Sequence, residues 1–336
     1  MASGQERVLR RRIKSIQSTK KITRAMELIA ASRIVKAQQR VAAARPYSEQ
    51  VTAVIANLAA GGAGLDHPLL QERDPIRKVG FIVISADRGL AGAYNSTVIR
   101  TAERALLAHQ AEGRDYELTL AGRKAEGYFR YRDYRIGDSF SGFSEVPAYE
   151  DARTVAQAAM ARYERGSGEE GGVDQVELVY TRFFSMGTQK VVNVRLLPLE
   201  KEAMADAASA DAGDGPKAAY EFEPEPNEIL ERLLPRYVEG RVFAAMLDAA
   251  ASEQAARQRA MKAATDNAED LIKNLATVAN KVRQAGITTE IMEIVGGAEA
   301  LRQGKSSGGP DYLVDTTINR DVLPDQIDPS RIGART

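Results

Sequence analysis

The stretch from Leu247 to Thr289 limits this chain more than any other feature. Positions 247, 251, 254, 258, 261, 265, 268, 272, 275, 279, 282, 286 and 289 advance by fours and threes without a break. Leu247, Ala251, Met261, Ala268, Ile272, Leu275, Ala279 and Val282 on that line are apolar or small, with Gln254, Gln258 and Thr265 as polar exceptions. A 3.5-residue period sustained this long is the mark of a coiled-coil seam. No proline interrupts it between Arg236 and Gly309, and no glycine between Arg241 and Ala285. A helix of about 60 residues is roughly 90 Å long, more than a compact domain needs. The chain is therefore expected to contain a rod with a mechanical job, and a rod needs a partner helix.

The partner is sought at the other end of the chain. Residues from about Gln5 to Leu58 read as helix, with Pro46 expected to kink or restart it. Leu9, Ile13 and Ile16 make one four-three step, and Ala30, Ile34, Ala37, Val41 and Ala44 make another. The many alanines on both helices allow close approach. Pairing the two antiparallel brings both chain ends to one end of the rod.

Between them the period changes. Gly61-Gly62-Ala63-Gly64 ends the first helix and opens a linker. Val79–Ile84 is a short apolar run of the kind that forms a buried strand. A helix is expected over 93–109, a strand over 116–120, a short helix near 124–130 and a strand near Tyr134–Ile136. A helix over 151–164 and strands over 176–184 and 190–198 complete the section. Alternating strands and helices imply a Rossmann-like α/β domain with a parallel or mixed sheet. The expected division is a coiled-coil helix over 1–60, a linker over 61–78 and an α/β domain over 79–200. A flexible loop over 201–226, a second coiled-coil helix over 227–301 and a disordered tail over 302–336 follow. Within the α/β domain, Gly166–Gly172 is read as a surface insertion that buries nothing.

Composition narrows the function. The 46 Lys and Arg balance the 46 Asp and Glu, but residues 1–45 hold twelve cations against two glutamates. There is no cysteine, which removes disulfides, thiol catalysis and thiolate metal sites. His67 and His109 stand far apart and are read as surface residues rather than metal ligands. No run of about 18 apolar residues exists to span a membrane. No apolar signal core precedes the first helix, so no cleaved leader is expected. The Asn95-Ser96-Thr97 sequon is read as chance.

Catalytic patterns are thin. The loop Ser85-Ala86-Asp87-Arg88-Gly89-Leu90-Ala91-Gly92 follows a strand, as a phosphate loop does. It lacks both G-x-G-x-x-G and the lysine of a Walker loop, and reads as a strand-to-helix turn that needs small residues. Glu290 and Glu293 lie on one helix face, as solvated pairs do. No histidine is placed for a Ser-His-Asp triad. No catalytic, cofactor or metal residue is assigned. A basic helix joined to a coiled coil also suits a nucleic-acid-binding or scaffolding protein, although it lacks the interleaved aromatics of single-strand binders.

Three long strings carry a family resemblance: Arg12 through Ser32, Ala251 through Ala268, and Asn280 through Ala298. The central Ser85–Gly92 loop with Asn95-Ser96 adds to them. Together, in this order, they resemble the gamma subunit, or central stalk, of the bacterial-type rotary F-type ATP synthase. The resemblance covers most of residues 1–301. It implies a non-catalytic rotor shaft that couples rotation of the proton-driven membrane c-ring to the catalytic ring of alpha and beta subunits, with epsilon as a further partner. It implies no cofactor, no nucleic acid and no membrane span. The implied location is peripheral, on the cytoplasmic face of the bacterial plasma membrane. By position, Arg24 and Met26 match the family's contact with the acidic loop of beta. Arg283 and Gln284 match its polar catch with beta. Residues 279 and 282 are seam positions, so 283 and 284 lie off the seam and are free to face a ring.

Overall fold

The computed structural model describes residues 2–60, 67–199 and 226–304. The expected loop over 201–226, apart from Pro226, lies outside the described residues, as does the expected tail beyond Gly304. Helix α1 runs over Ala2–Ala60 and helix α5 over Pro226–Gly304. Pro46 and Pro235 both sit inside continuous helix, so of the kink or restart expected at Pro46 the restart does not occur. Residues 12–275 form one compact unit, and the helix ends 2–11 and 276–304 belong to a second.

The α1 seam is longer than the sequence reading. Positions 6, 9, 13, 16, 20, 23, 27, 30, 34, 37, 41, 44, 51, 55 and 58 are all buried or half-buried. The two apolar stripes are one line, joined by Lys20, Thr23 and Glu27. On α5 every seam position from 247 to 282 is likewise buried or half-buried, and Thr289 is exposed. Contacts in the larger unit give the direction. Lys20 Nζ lies 2.9 Å from Glu269 Oε2, and Thr23 Oγ1 lies 2.8 Å from Thr265 Oγ1. Tyr47 Cε1 comes within 3.9 Å of the place where a Cβ on Gly240 would sit. As one number rises from 20 to 47, its partner falls from 269 to 240, so the helices run antiparallel. Long helices gain most of their stability from such packing rather than from propensity.

Strands β1 (Lys78–Ile84), β2 (Asp115–Ala121), β3 (Ile136–Phe140), β4 (Gln175–Phe183) and β5 (Gln189–Leu197) form one sheet in the order β3-β2-β1-β4-β5. All neighbours are parallel except β4 and β5. Helices α2 (Tyr94–Ala111), α3 (Arg123–Tyr131) and α4 (Tyr149–Arg165) make the crossovers. Strand β1 reads as an unbroken apolar run because both its faces are covered. Val79, Phe81 and Val83 pack with α2 and α3. Ile82 and Ile84 share the opposite core with α4. That core also takes in Val51, Ile55 and Leu58 of α1 and Leu230, Leu234, Val238 and Val242 of α5, which seats the helix pair against the domain.

Three expectations need correction. The third strand lies at Ile136–Phe140 rather than Tyr134–Ile136. It is an edge strand in which Gly137, Asp138 and Ser139 separate Ile136 from Phe140, so it carries no apolar run to read. A Cβ on its Gly137 would lie 2.5 Å from Arg162 Nη2, so a side chain there would push against the Arg162–Glu117 pair. The stretch read as a linker contributes a 3₁₀ turn, Pro68–Leu70, whose Leu69 and Leu70 are buried in the core. The loop Gly166–Gly172 does not bury nothing: Gly166 and Gly172 are both buried. Gly166 caps α4 at φ 71°, Ser167 N donates to Asp174 Oδ1, and Arg162 Nη1 donates to Gly171 O. Its tip, Gly168 to Glu170, is exposed.

Candidate functional site

Side chains off the seam form the surface that a surrounding partner would meet. Arg24 is exposed on α1, and its guanidinium bonds both oxygens of Glu27 at 2.9 Å, one turn on. Glu27 is a buried seam residue, so the pair fixes where Arg24 points. Met26 is half-buried beside the seam. Both belong to the larger unit. Arg283 and Gln284 belong to the smaller one and are both exposed on α5. Each pair is together on its own helix. Beyond them Ile287, Ile291, Met292, Ile294, Val295 and Leu301 stay exposed by half or more, a run of uncovered apolar side chains. Scattered exposed apolar residues are ordinary, but a contiguous run at a helix end marks an interaction surface.

The loop after β1 is built for structure. Ala86 N donates to Asn95 Oδ1 at 2.9 Å, and Asn95 Nδ2 donates to Arg88 O at 3.4 Å. Asp87 N donates to Ser144 Oγ at 3.0 Å. The Asp87 carboxylate accepts from the backbone amides of Arg123, Gly142 and Ser144. The amides of Ala86 and Asp87, which a phosphate would need, are therefore already committed. Asp87 ties three successive connections at the carboxyl end of the sheet. Ser85 Oγ accepts from Ala125 N at 3.0 Å and donates to Gly122 O at 3.2 Å. A Cβ on Gly122 would lie 2.7 Å from that hydroxyl, so glycine is required there. The turn itself needs left-handed backbone at Leu90 and Gly92.

Both histidines are half-buried, not surface residues, and both have structural partners. His67 Nδ1 accepts from Leu69 N at 3.1 Å and caps the 3₁₀ turn. Burial lowers its pKa, against the pull of Glu164 and Glu231. His109 Nε2 lies 2.8 Å from Glu177 Oε1, and Arg114 Nη1 lies 3.0 Å from His109 Nδ1. Arginine can only donate, so Nδ1 accepts and Nε2 carries the proton towards Glu177. Glu117, on the opposite face of the sheet, pairs with Lys78 at 2.8 Å and Arg162 at 3.3 Å. Each buried strand carboxylate thus anchors one covering helix. Sequence reading missed both. Their only signal is a glutamate with an apolar or aromatic neighbour on each side within a strand.

One carboxyl of the helix pair is strongly perturbed. Burial raises Asp248 on α5 from 3.8 to about 6, against the pull of Arg182, the Phe183 amide and Arg45. Among the described residues no cluster of His, Asp and Glu suits a metal ion, and no helix is long and apolar enough to cross a membrane.

Comparison with known proteins places this geometry. The family described as ATP synthase matches residues 5–301. The ATP synthase gamma chain of Frankia casuarinae is 53% identical over 303 residues, covering 90% of this chain and 99% of that protein. The gamma chain of Mycolicibacterium smegmatis is 49% identical over 308 residues, covering 89% and 98%. Among solved structures, a chain of the Euglena gracilis mitochondrial ATP synthase (OSCP, F1 and c-ring) matches with a TM-score of 0.61 at 18% identity. It covers 93% of this chain and 99% of that one. A chain of the Tetrahymena thermophila mitochondrial central stalk and c-ring matches with a TM-score of 0.52 at 24% identity, covering 72% and 99%. At these identities the structural likeness speaks for the fold.

Proposed function

We propose an assignment of surfaces to partners on the premise that the chain belongs to the ATP synthase gamma-chain family and serves as the rotor stalk of that complex. The chain is a non-catalytic subunit, and the chemistry of ATP belongs to other subunits. It is a peripheral part of a membrane-bound machine.

The observation that carries the assignment is the long four-three seam of α1 against α5. Pairing on that line leaves the flanks of both helices to meet a ring. Arg24 and Met26 face the acidic loop of beta. A row of cations on α1 suits such a loop, since complementary charge steers approach and disfavours wrong partners. Arg283 and Gln284 form a polar catch with beta that makes and breaks as the shaft turns. The apolar run from Ile287 to Leu301 bears on the alpha/beta ring. The α/β domain meets epsilon and the c-ring, and the complex sits on the cytoplasmic face of a bacterial plasma membrane with protons as the coupling ion.

The test is co-purification of tagged chain with alpha, beta, epsilon and c subunits, followed by turnover of the assembled complex. A charge-assisted contact is worth about 1.5–3 kcal/mol, so Arg283→Ala should lower both hydrolysis and synthesis while the isolated chain stays as helical as before. Normal turnover with Arg283→Ala in place would remove the catch. Failure of the wild-type chain to recover alpha and beta would remove the whole assignment.

A further inference from the structure

We infer that Arg257, seated between Glu253 and Glu145, is a brace that locks the helix pair to the α/β domain so that the two turn as one body. The inference rests on the rotor reading and adds a residue-level joint to it.

Arg257 and Glu253 lie on α5 and are only 6% and 1% exposed. Arg257 Nη2 lies 2.6 Å from Glu253 Oε1 and 3.4 Å from Gly89 O, in the loop after β1. Nη1 faces Glu145 Oε1 at 3.9 Å, inside ion-pair range but beyond a hydrogen bond. Glu145 lies in the loop between β3 and α4. Its other oxygen is bonded by Arg33 of α1, and Arg88 lies 3.5 Å from Oε1. One carboxylate therefore meets arginines from both long helices and from the domain.

Position makes this cluster a joint. The apolar core already joins the domain to α1 at 51–58 and to α5 at 230–249. The Arg33 and Arg257 contacts lie further along both helices, nearer the start of α1 and the end of α5. Two attachments separated along a helix pair resist twist, where one attachment only resists separation. On the α5 side the second point is packed by small side chains, Ala256 and Ala260, with the Tyr94 ring of the domain against them. Ala86, Ala91 and Tyr94 pack against Ala256, and a Cβ on Gly92 would lie 3.6 Å from Ala260 Cβ. Small residues let backbones approach but offer few ridges against sliding. Directional ion pairs supply the resistance that shape lacks. Burial pushes the Glu253 carboxyl pKa up while Arg257 draws it down, so removing Arg257 leaves a buried acid without its counter-charge.

The test uses the complete complex in inverted membrane vesicles, measuring ATP hydrolysis and ATP-driven proton pumping together. Arg257→Gln should leave hydrolysis within about twofold of wild type and lower pumping per ATP by about threefold or more. A second pair of variants separates a joint from a local charge effect. Arg33→Gln removes the α1 arginine from the same Glu145 carboxylate and should lower the ratio in the same direction, whereas Arg88→Gln removes a contact within the α/β domain and should leave it within about twofold of wild type. An assembled Arg257→Gln complex with a wild-type ratio overturns the brace, as does an equal deficit with Arg88→Gln. If Arg257→Gln does not assemble, Glu145→Gln, at the partly exposed edge of the cluster, is read in its place. It should lower the ratio in the same direction, and an unchanged ratio overturns the brace. If wild-type chain added to membranes depleted of it restores no pumping, the rotor reading fails instead.

Discussion

Thr23 of α1 and Thr265 of α5 share a buried hydrogen bond of 2.8 Å across the helix pair, in the middle of the seam. Each hydroxyl has one proton. Thr265 lies 2.8 Å from Met261 O and Thr23 lies 3.1 Å from Lys20 O. The shorter pair of contacts is satisfied together when Thr265 donates to Met261 O and accepts from Thr23. Lys20 and Glu269 flank this bond, and the hydrogen bond from Lys20 holds the exposed Glu269 carboxyl below its usual pKa.

This arrangement makes the two threonines interdependent. Thr23→Val keeps the shape and removes one hydrogen bond, a loss of about 1 kcal/mol. Thr265→Val removes the bond to Met261 O as well and leaves Thr23 only Lys20 O to donate to, so it should cost at least as much. The double Val variant replaces both partners by apolar groups of the same shape and should lie close to wild type. Thermal melts of the four chains give the coupling energy. Additive losses would mean that the hydroxyls do not act as a pair.

Asp248 gives the chain a dependence on pH. A carboxyl whose pKa rises on folding binds its proton more tightly in the native state. Its effect on stability is therefore most favourable below the ordinary value of 3.8 and declines as pH rises through about 6. Asp248→Asn removes the penalty of the charged form. It should raise stability by about 1–2 kcal/mol above pH 6, allowing for the solvent that reaches this group. Near pH 3.5 the gain should vanish. An equal gain at both pH values would show that charge at Asp248 is not the cause.

Deleting Gly166–Gly172 should destabilise the α/β domain, because the loop ends are packed and hydrogen-bonded. The sharper test is Gly172→Ala. Its Cβ would lie 2.6 Å from the carbonyl carbon of Gly166, so backbone must move. A loss of about 2–3 kcal/mol is expected, in the range of overpacked sites. Glu169→Ser, at the exposed tip, should change the melting temperature little. Equal melting of Gly172→Ala and wild type would return the loop to a passive insertion.

Met26→Lys should impair coupling more than folding. Met26 is half-buried beside the seam, and a lysine there can keep its stem packed while its charge reaches outward. It adds a cation beside Arg24, where the proposed partner is acidic, and should favour one rotary stop over the others. The ratio of proton pumping to ATP hydrolysis in vesicles is the measurement, and an unchanged ratio would reject the contact.

Much of the architecture was legible in the residues because periodicity is local. The 3.5-residue spacing from Leu247 to Val282 identified a seam, and short apolar runs identified β1, β2, β4 and β5 within a residue or two. Partner assignments rested on the resemblance of Arg24, Met26, Arg283 and Gln284 to family positions, which periodicity alone does not supply.

Tertiary structure decided whatever depends on residues far apart in the chain. Lys20 and Thr23 look like part of a polar gap between two apolar stripes until Glu269 and Thr265, more than 240 positions away, supply their partners. Strand β3 has too few apolar residues to announce itself and is recruited by pairing with β2. The Gly166–Gly172 loop reads as solvent-loving, yet Arg162 and Asp174 pin its ends. In each case the side chain is polar, so its place is set by a specific partner rather than by the general tendency of apolar surface to leave water. A hydrophobic pattern is visible in one segment, but a hydrogen bond or ion pair exists only once two segments have met.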